Sequence, residues 1–484
     1  MKEPTMTHRI PRCLCLFLAS LFLLSSFASC QPAESETQRE STSLDSAPQS
    51  GTESESASES ESETTLPPPP SSLSSNPTAL FSGNMSGAIP SLSITVDGLG
   101  SMLASKTFHA ARVTAADTEG GWGDFEDLPA EIRCRGNATF TMMPKKSFRL
   151  RFVDSLNLFG QDTGKARNWA LLAEHCDRTM MRNRVAMAMA DVLGIEHSSS
   201  SYVHLYFGNE YYGLFHVLEH SQIQSNRVDI EALPSAVVTE YLVELDYYAY
   251  EDGAEGKDYF TLSGKRYAIK NDNVTRAQCN YVKEIFTSTE NILRRGTEED
   301  IAEVIDVASF VDMYLLHLAT KNTDVGHSSF YYVLDINGVI SCTWPWDFDI
   351  AMGNDERLDG GAFTGFYPGS NYGIDQQNRW FDLLMQKEWF VELVRNRWGE
   401  VGEELFATAI GEVYALYETY GDDFRLNFER WPCFGQKLNV EPWEVQQLED
   451  FDAHVNYLVE WLTGRYEFLD EYLSDPEKAF STVK

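Results

Sequence analysis

Basic residues are scarce in this chain. Its 484 residues include 38 lysines and arginines against 73 aspartates and glutamates, which gives a formal net charge of −35 at pH 7. Proteins that bind nucleic acids need basic surfaces to neutralise phosphates, so this balance argues against a nucleic-acid partner. Anionic lipid surfaces would also repel such a chain. A few cations gathered inside a cleft would instead suit a bound polyanion such as a nucleotide.

Cysteine motifs and long apolar segments are also lacking. No two cysteines form the Cys-x-x-Cys pair that is typical of zinc or redox sites. Beyond the N-terminal region, no segment is apolar over the length that a membrane-spanning helix requires. After Cys30 the chain has an odd number of widely spaced cysteines, so we expect at least one buried free thiol among them: Cys134, Cys176, Cys279, Cys342 and Cys433.

Residues 1–30 have the pattern of a bacterial export signal. Basic residues precede the apolar run 13–24, which is too short to span a bilayer as a stable helix. Phe27-Ala28-Ser29-Cys30 resembles a lipobox, in which the cysteine is acylated and becomes the new N-terminus. We therefore predict an exported membrane lipoprotein that is anchored at Cys30 and faces outward. Ordinary signal cleavage nearby is the alternative.

Composition changes again after the signal. Residues 31–88 are rich in serine, glutamate and proline and have almost no large apolar side chains, so this segment cannot bury a core. Like charges and the proline run 67–70 favour extended conformations. We predict a disordered tether over 31–88, a folded domain over 89–475 and a short C-terminal tail over 476–484.

Two acidic loops flank a predicted β-hairpin. Residues 330–334 and 339–344 are rich in β-branched and aromatic side chains, and Asn337-Gly338 between them is a strong hairpin signal. Asp324 precedes the first strand and Asp347 follows the second. Both carboxylates should therefore emerge at the same open end of the hairpin.

The segment ahead of Asp324 has apolar residues at helical spacing and predicts a helix over 301–318. Protein kinases place their catalytic and metal-binding aspartates in the same order of helix, acidic loop, hairpin and acidic loop. Either aspartate alone could instead accept hydrogen bonds in an ordinary turn. Asp347, however, lies among the aromatic residues of 344–348, where a carboxylate is unfavourable unless a cation or a donor compensates it.

Basic residues concentrate in the stretch 133–151. Alternation predicts a strand in which Lys145 shares one face with Arg149, and Lys146 shares the other face with Phe148. The apolar neighbours of Lys146 predict that it points inward, where a lysine needs an anionic partner such as phosphate. A solvated basic edge strand is the alternative. The choice between Lys145 and Lys146 as a phosphate contact stays open.

The remaining patterns define the fold class. A second hairpin is predicted over 202–219, with a turn at Gly208-Asn209, and it places Tyr212 and Glu219 near the connection between the two halves. Apolar residues at helical spacing over 380–473 predict a helical C-terminal lobe. We therefore predict an α+β protein with two lobes, a mixed antiparallel sheet lobe and a helical lobe.

In this combination the chain resembles the CotH kinase family, whose members are similar to spore coat protein H and adopt an atypical protein-kinase fold. The resemblance extends from about Pro90 to Leu473. It rests on motifs that occur in family order: Arg135-Gly136-Asn137, 144–150, 169–172, Asp177, Met181-Arg182-Asn183, 208–215 ending at Glu219, Lys321-Asn322-Thr323-Asp324, 345–349 and Gly353-Asn354.

The resemblance implies a role for several single residues. Asp324 is expected to orient the acceptor hydroxyl as the catalytic aspartate, and Asp347 is expected to hold Mg²⁺ against the phosphates. Asp349 would assist the metal or order its loop. The other implied roles are nucleotide contacts, to phosphate from Arg135 and from Lys145 or Lys146, and to adenine from Tyr212 and Glu219.

The implied activity is transfer of phosphate from ATP to serine or threonine of secreted, surface or spore-coat proteins, with Mg²⁺ or Mn²⁺ as the metal. The chain departs from protein kinases in having no Gly-rich loop; the isolated Gly98-Leu99-Gly100 is more typical of a turn. After Asp324 it reads His327-Ser328-Ser329, without the asparagine that ligates a second metal in kinases. The alternative function is a kinase-like surface adhesion or assembly module with little or no catalysis.

Overall fold

The computed structural model describes residues 89–116, 123–158, 164–368, 378–438, 440–478 and 480. The predicted signal peptide, Cys30 and the predicted tether lie outside these residues, so they stay predictions. Within the described ranges, no helix has both the length and the apolar character needed to cross a membrane.

Seven strands of the N-terminal part close into a barrel. They are β1 (Ser91–Val96), β2 (His109–Ala116), β3 (Phe125–Arg135), β4 (Ser147–Leu156), β5 (Ala166–Leu172), β6 (Ser200–Phe207) and β7 (Glu210–Glu219). Their order around the barrel is β1-β2-β3-β4-β5-β7-β6, and neighbours are antiparallel except that β1 and β6 run parallel. Alternate residues of β1 and β3 are buried, because one face of each strand lines the interior.

Aromatic and aliphatic side chains fill the barrel. Trp169 of β5 and Phe148 and Leu150 of β4 are fully buried there. The ring of Phe148 meets that of Phe207 edge-on, with 5.6 Å between centroids, an arrangement that aromatic pairs favour. The filled interior makes the barrel a firm support for side chains on its outer surface.

Five further strands form a second, antiparallel sheet in the order β12-β11-β8-β10-β9. They are β8 (Tyr241–Leu245), β9 (Tyr259–Leu262), β10 (Lys265–Ile269), β11 (Phe330–Leu334) and β12 (Ile340–Thr343). The central strand β8 is buried along its whole length, which agrees with the apolar and aromatic character of all its residues except Glu244.

The helices lie mostly in the C-terminal half. They are α1 (Leu99–Leu103), α2 (Ala138–Met142), α3 (Arg182–Leu193), α4 (Ala249–Asp252), α5 (Arg276–Arg295), α6 (Glu298–Ala302), α7 (Val307–Thr320), α8 (Arg379–Leu384), α9 (Glu388–Arg430), α10 (Trp443–Gln446) and α11 (Phe451–Leu473). The long helix α9 packs against α3, α7 and α11. The fold is therefore α+β, with a β-barrel lobe and a helical region, as the sequence predicts.

Both predicted hairpins are confirmed. Strands β11 and β12 pair in the expected register, with Gly338 in the turn at a φ of 90°, a conformation that favours glycine. Strands β6 and β7 pair around Gly208, at a φ of 61°. A prediction from local pattern succeeds here because the turn residues and the alternation agree.

The predicted helix over 301–318 is wrong in its first part. Helix α6 ends at Ala302, and α7 begins after Asp306, whose side chain caps it by accepting from the backbone N–H of Ser309 at 3.5 Å. Between the two helices, Ile305 forms a bridge to Ile340. The apolar side chains keep helical spacing through this break because the bridge residues are also buried.

Lys145 and Lys146 differ in burial. Lys145 is fully buried, whereas Lys146 is only partly so. Strand β4 begins at Ser147, so the two-residue alternation of a strand does not extend back to the lysines.

Five cysteines of the described region are buried, and no disulfide joins any of them. The prediction of at least one buried free thiol is confirmed by Cys134. Burial raises the pKa of Cys134 and of Cys433 to about 11. Both thiols therefore stay protonated near neutral pH and are poor nucleophiles.

Candidate active site

A cleft of about 850 Å³ is lined by both sheets. The barrel strands β3, β4 and β5 contribute one part of the lining. Strands β8 and β11, with the loops 324–329 and 346–350, contribute another part. The two acidic loops predicted from the sequence therefore face a surface of the barrel.

The Asp324 loop follows directly from α7. Lys321 ends this helix in the left-handed conformation, with a φ of 48°, so the chain turns away sharply. The side chain of Asn322 accepts from the backbone N–H of Asp324 at 3.0 Å and donates to the carbonyl of Asp347 at 3.1 Å. One amide side chain thus joins the two acidic loops.

Asp347 is exposed to the solvent of the cleft and has a φ of 71°. Left-handed non-glycine residues of this kind are uncommon and occur often at functional sites. Ser329 Oγ donates to its carboxylate at 3.4 Å. Desolvation in the cleft, followed by the charge of Asp324, raises the pKa of Asp347 to about 6. Burial and the charge of Asp347 raise the pKa of Asp349 as well.

Arginines form a basic surface in the same cleft. The guanidinium of Arg135, at the end of β3, lies 5.3 Å from the ring centroid of Trp346. Arg149 of β4 donates to Asn168 at 3.2 Å. Burial lowers the pKa of Arg135, and burial together with the charge of Arg133 lowers that of Arg149 to about 10.

Buried donors of this surface are unpaired. Among the described residues, Nη1 of Arg135 and Nε of Arg149 have no hydrogen-bond partner. An unpaired buried donor is unfavourable, and a group that is charged as well is more so. An anion in the cleft would satisfy both atoms.

Asn183 of α3 supports the Asp347 loop from beneath. Its Nδ2 donates to both carboxylate oxygens of Glu174, at 3.1 and 3.0 Å, and its Oδ1 accepts from the backbone N–H of Phe348 at 2.7 Å. Glu174 also lies 2.9 Å from Nδ1 of His216. Burial, then the charge of Asp177, raises the pKa of Glu174 to about 8.

A second set of bonds holds the end of the same loop. The carboxylate of Asp177 pairs with the guanidinium of Arg182, which donates from Nε to the carbonyl of Ala351 at 3.0 Å. Asn354 donates to the carbonyl of Asp349 at 2.8 Å. All of these groups except Asp349 are buried, so the loop is fixed before any ligand binds.

Arg357 joins the Asp324 loop to the chain that follows the Asp347 loop. Its Nη2 donates to Asp324 Oδ1 at 3.0 Å and to Asp355 Oδ2 at 2.8 Å. Burial opposes its charge, but the hydrogen bond to Asp355 and the charge of Asp324 raise the pKa of Arg357 overall. The arginine therefore stays charged and holds the Asp324 carboxylate in place.

Comparison with known proteins identifies the family to which this site belongs. The sequence model of the family described as CotH kinase protein matches residues 132–469, well over half of the chain. The chain belongs to the CotH kinase protein family. Membership of this family implies a nucleotide and a substrate. A comparison with curated proteins found no match.

One solved structure with some similarity is a Shewanella oneidensis MR-1 toxin–antitoxin complex of HipA, HipB and operator DNA. The sequence identity is 16% and the TM-score is 0.24. The match covers 64% of this CotH kinase family chain and 61% of that chain.

Two carboxylates of the cleft in this family member suit a magnesium ion. No group of three or more His, Cys, Asp or Glu side chains in the described ranges converges as a complete metal cage. Magnesium at nucleotide sites usually takes one or two carboxylates and completes its shell with phosphates and water. Asp347 and Asp349, whose pKa values are raised by desolvation and by neighbouring negative charge, fit that requirement.

The two predicted phosphate-binding lysines lie elsewhere. Lys145 is fully buried and donates to the carbonyl of Ala173 and to Asn427 Oδ1, both at 2.8 Å. Burial lowers its pKa to about 7. Lys146 donates to the carbonyl of Phe140 at 2.6 Å. Neither lysine is among the described residues that line the cleft, so their placement does not favour phosphate contact, which stays a prediction.

The two predicted adenine contacts also lie outside the described lining of the cleft. The ring of Tyr212 packs against Trp431, with 5.3 Å between centroids. Glu219 accepts from the backbone N–H of Ser199 at 3.0 Å and lies 3.6 Å from Nε of Arg227. An adenine-binding role for Tyr212 and Glu219 therefore stays a prediction without geometric support.

Four of the predicted residues line the same cleft: Asp324, Asp347, Asp349 and Arg135. Sequence reasoning did not assign a site role to Arg149, Asn183 or Arg357. The position of Arg149 could have indicated a site role, because it alternates with buried residues of β4 and pairs with Arg133 in the β3–β4 register. Asn183 lies within a family motif. Arg357 carried no signal, since its site partner Asp324 lies in the loop before the hairpin, 33 residues earlier in the chain.

Proposed function

We propose that this protein is a protein serine/threonine kinase that uses ATP and Mg²⁺. The observation that carries the proposal is one cleft that combines Asp324, Asp347 and Asp349 with the unpaired donors of Arg135 and Arg149. Phosphoryl transfer depends mainly on positioning and on neutralising the charge of the phosphates. Carboxylates for a metal and arginines for phosphate oxygens supply both.

In this proposal, Arg135 and Arg149 bind the phosphates of ATP. The planar guanidinium can donate two parallel hydrogen bonds to phosphate oxygens. The contact of Arg135 with Trp346 fixes the plane of one guanidinium in advance. The donors that are unpaired in the protein would then be satisfied by the nucleotide.

The metal would be held by Asp347, with Asp349 as a second ligand or as a support of the loop. Magnesium, when bound, neutralises phosphate charge and orients the terminal phosphoryl group. The side-chain amides of Asn322 and Asn183 bond the backbone on either side of Asp347. These bonds keep its carboxylate directed at the cleft.

Asp324 would act on the acceptor. Its carboxylate accepts a hydrogen bond from the serine or threonine hydroxyl and takes its proton as the hydroxyl oxygen bonds to the terminal phosphorus. The bond from that phosphorus to the bridging oxygen breaks, and ADP leaves. Asn322 fixes the backbone of Asp324, and Arg357 fixes its side chain. The residue is therefore positioned for one direction of approach.

The location of this activity is proposed from the sequence alone. The signal pattern and the lipobox-like residues 27–30 support an outward-facing lipoprotein, and its substrates would then be secreted, surface or spore-coat proteins. A Cys30→Ser variant tests the anchor. We expect it to leave the membrane fraction, and retention of the variant in membranes would contradict lipidation at Cys30.

Binding of ATP tests the nucleotide site without requiring a protein substrate. Calorimetric titration of the purified protein should show binding that requires Mg²⁺ or Mn²⁺ and is lost in Asp347→Asn. Asp127→Asn, an exposed change on the barrel, serves as the matched control. Absence of binding with both metals would favour the alternative of a kinase-like adhesion or assembly module.

A further inference from the structure

A second cavity, of about 570 Å³, adjoins the segment that carries Arg357. Arg357 lines the catalytic cleft, whereas its neighbour Glu356 lines this second cavity. The cavity is lined by side chains from α10, α11 and the turn before α10. We call it the aromatic groove and define it by Glu356, Phe363, Trp443, Glu444, Glu460 and Trp461.

Exposed aromatic side chains form the groove. Trp443 is 66% exposed and Phe363 is 44% exposed, although large aromatic residues are usually covered in folded proteins. Phe363 does not project freely into solvent, because its ring packs over Gly464 of α11, where an added Cβ would lie 3.0 Å from the ring. Exposed aromatic rings that are held in this way mark a surface for a partner.

Carboxylates surround these rings. Glu444 and Glu460 are exposed, and neither has an ion-pair partner among the described residues. Glu356 pairs with Lys437 at 2.7 Å, but both side chains are 49% exposed, so this pair is weak and replaceable. Rings bordered by unpaired carboxylates attract cations, since the ring face and the carboxylate both carry negative potential.

The wall of the groove is held rigidly from within. Lys321 donates to the carbonyls of Ala362 and Thr364 at 2.9 and 2.8 Å. Arg465 donates to the carbonyl of Phe363 at 2.7 Å, and Trp461 donates to that of Gly361 at 3.0 Å. A partner would therefore meet a preformed surface and lose little free energy in ordering it.

We propose that the aromatic groove binds a lysine or arginine side chain of the protein substrate, on an extended segment whose serine or threonine reaches Asp324. The charge of the groove and the strongly acidic protein both favour a basic segment. The assignment to a substrate rests on the proposed kinase function, whereas binding of a basic segment does not.

Fluorescence anisotropy without nucleotide separates the two claims. The probe is a labelled peptide that has one serine among lysines, compared with the same peptide carrying glutamates. We expect the lysine peptide alone to bind, and we expect Trp443→Ala to weaken binding by about two- to five-fold, which is the range of an exposed cation–π contact. Glu444→Gln combined with Glu460→Gln should weaken it similarly and reduce its dependence on salt.

Glu418→Gln is the matched control, because Glu418 is exposed on α9 and lies outside both described cavities. Circular dichroism of each variant checks the fold. Equal binding of the lysine peptide by the Trp443→Ala variant overturns the proposal, as does stronger binding of a neutral oligosaccharide or of lipid vesicles. If the lysine peptide binds but ATP does not, the binding of a basic segment by the aromatic groove is supported and the kinase proposal is contradicted.

Discussion

Arg357 Nη2 lies 3.0 Å from Oδ1 of Asp324 and 2.8 Å from Oδ2 of Asp355. One guanidinium thus connects the proposed catalytic carboxylate to the segment that separates the catalytic cleft from the aromatic groove. The pair is partly exposed, with 32% and 26% of the side chains of Arg357 and Asp324 accessible. Its role is therefore better judged from turnover than from stability.

Loss of the Arg357 side chain should slow turnover. In Arg357→Gln the Asp324 carboxylate loses its fixed orientation, and we expect kcat to fall by about ten-fold while the KM for ATP changes little. Arg357→Lys keeps the charge but not the planar fork and should recover part of the activity. Steady-state kinetics measures both. A faster enzyme in Arg357→Gln would instead show that the pair restrains Asp324.

The arginine surface should control nucleotide affinity. Replacing Arg135 or Arg149 by glutamine removes charge-assisted hydrogen bonds to phosphate, and we expect Kd for ATP to rise by about ten-fold for each. Arg112→Gln removes an exposed arginine that pairs with Asp127 and should leave Kd unchanged. Equal affinities in all of these variants would exclude the arginines as the phosphate site.

Local patterns explain what could be predicted from the sequence. The hairpin of β11 and β12 and the positions of Asp324 and Asp347 at its open end depend on turn residues and alternation within about twenty residues. The α+β class follows from the contrast between these strands and the helical spacing after Trp380.

Long-range contacts explain what could not be predicted. Arg135 and Arg149 line the same cleft as Asp347 only because the barrel packs beside the second sheet, which local pattern does not encode. The full burial of Lys145 was not predicted for a different reason. Strand β4 begins at Ser147, so the face of a residue just before the strand cannot be read from alternation.

Lys145 should matter for stability rather than for nucleotide binding. Lys145→Met removes a buried donor from the carbonyl of Ala173 and from Asn427, whose Oδ1 keeps the backbone N–H of Leu214, and we expect the free energy of unfolding to fall by about 3 kcal/mol. Urea denaturation measures this change. Lys146→Met, at a half-buried position, should cost less. A large loss of ATP affinity in folded Lys145→Met protein would restore the phosphate role that the sequence suggested.

Glu174 should make stability depend on pH. Its folded pKa of about 8 lies above the ordinary value of a glutamate, so the folded state holds a proton that the unfolded state has released. Its contribution to stability is fully present below the ordinary value and is lost as pH rises through about 8. Urea denaturation at pH 5 and pH 8.5 should show a larger decrease in the wild type than in Glu174→Gln. Parallel curves would contradict a protonated Glu174.

The measurement that tests the central claim most directly is transfer of labelled phosphate from ATP by the purified protein with Mg²⁺ or Mn²⁺. It should be run beside Asp324→Asn and Asp347→Asn, which keep the shape of each side chain but remove its charge. We predict labelling of serine or threonine that both substitutions abolish, with ATP binding retained in Asp324→Asn. Labelling that survives Asp324→Asn, or no labelling despite metal-dependent ATP binding and a basic serine peptide, would contradict the assignment of this cleft as a protein kinase site.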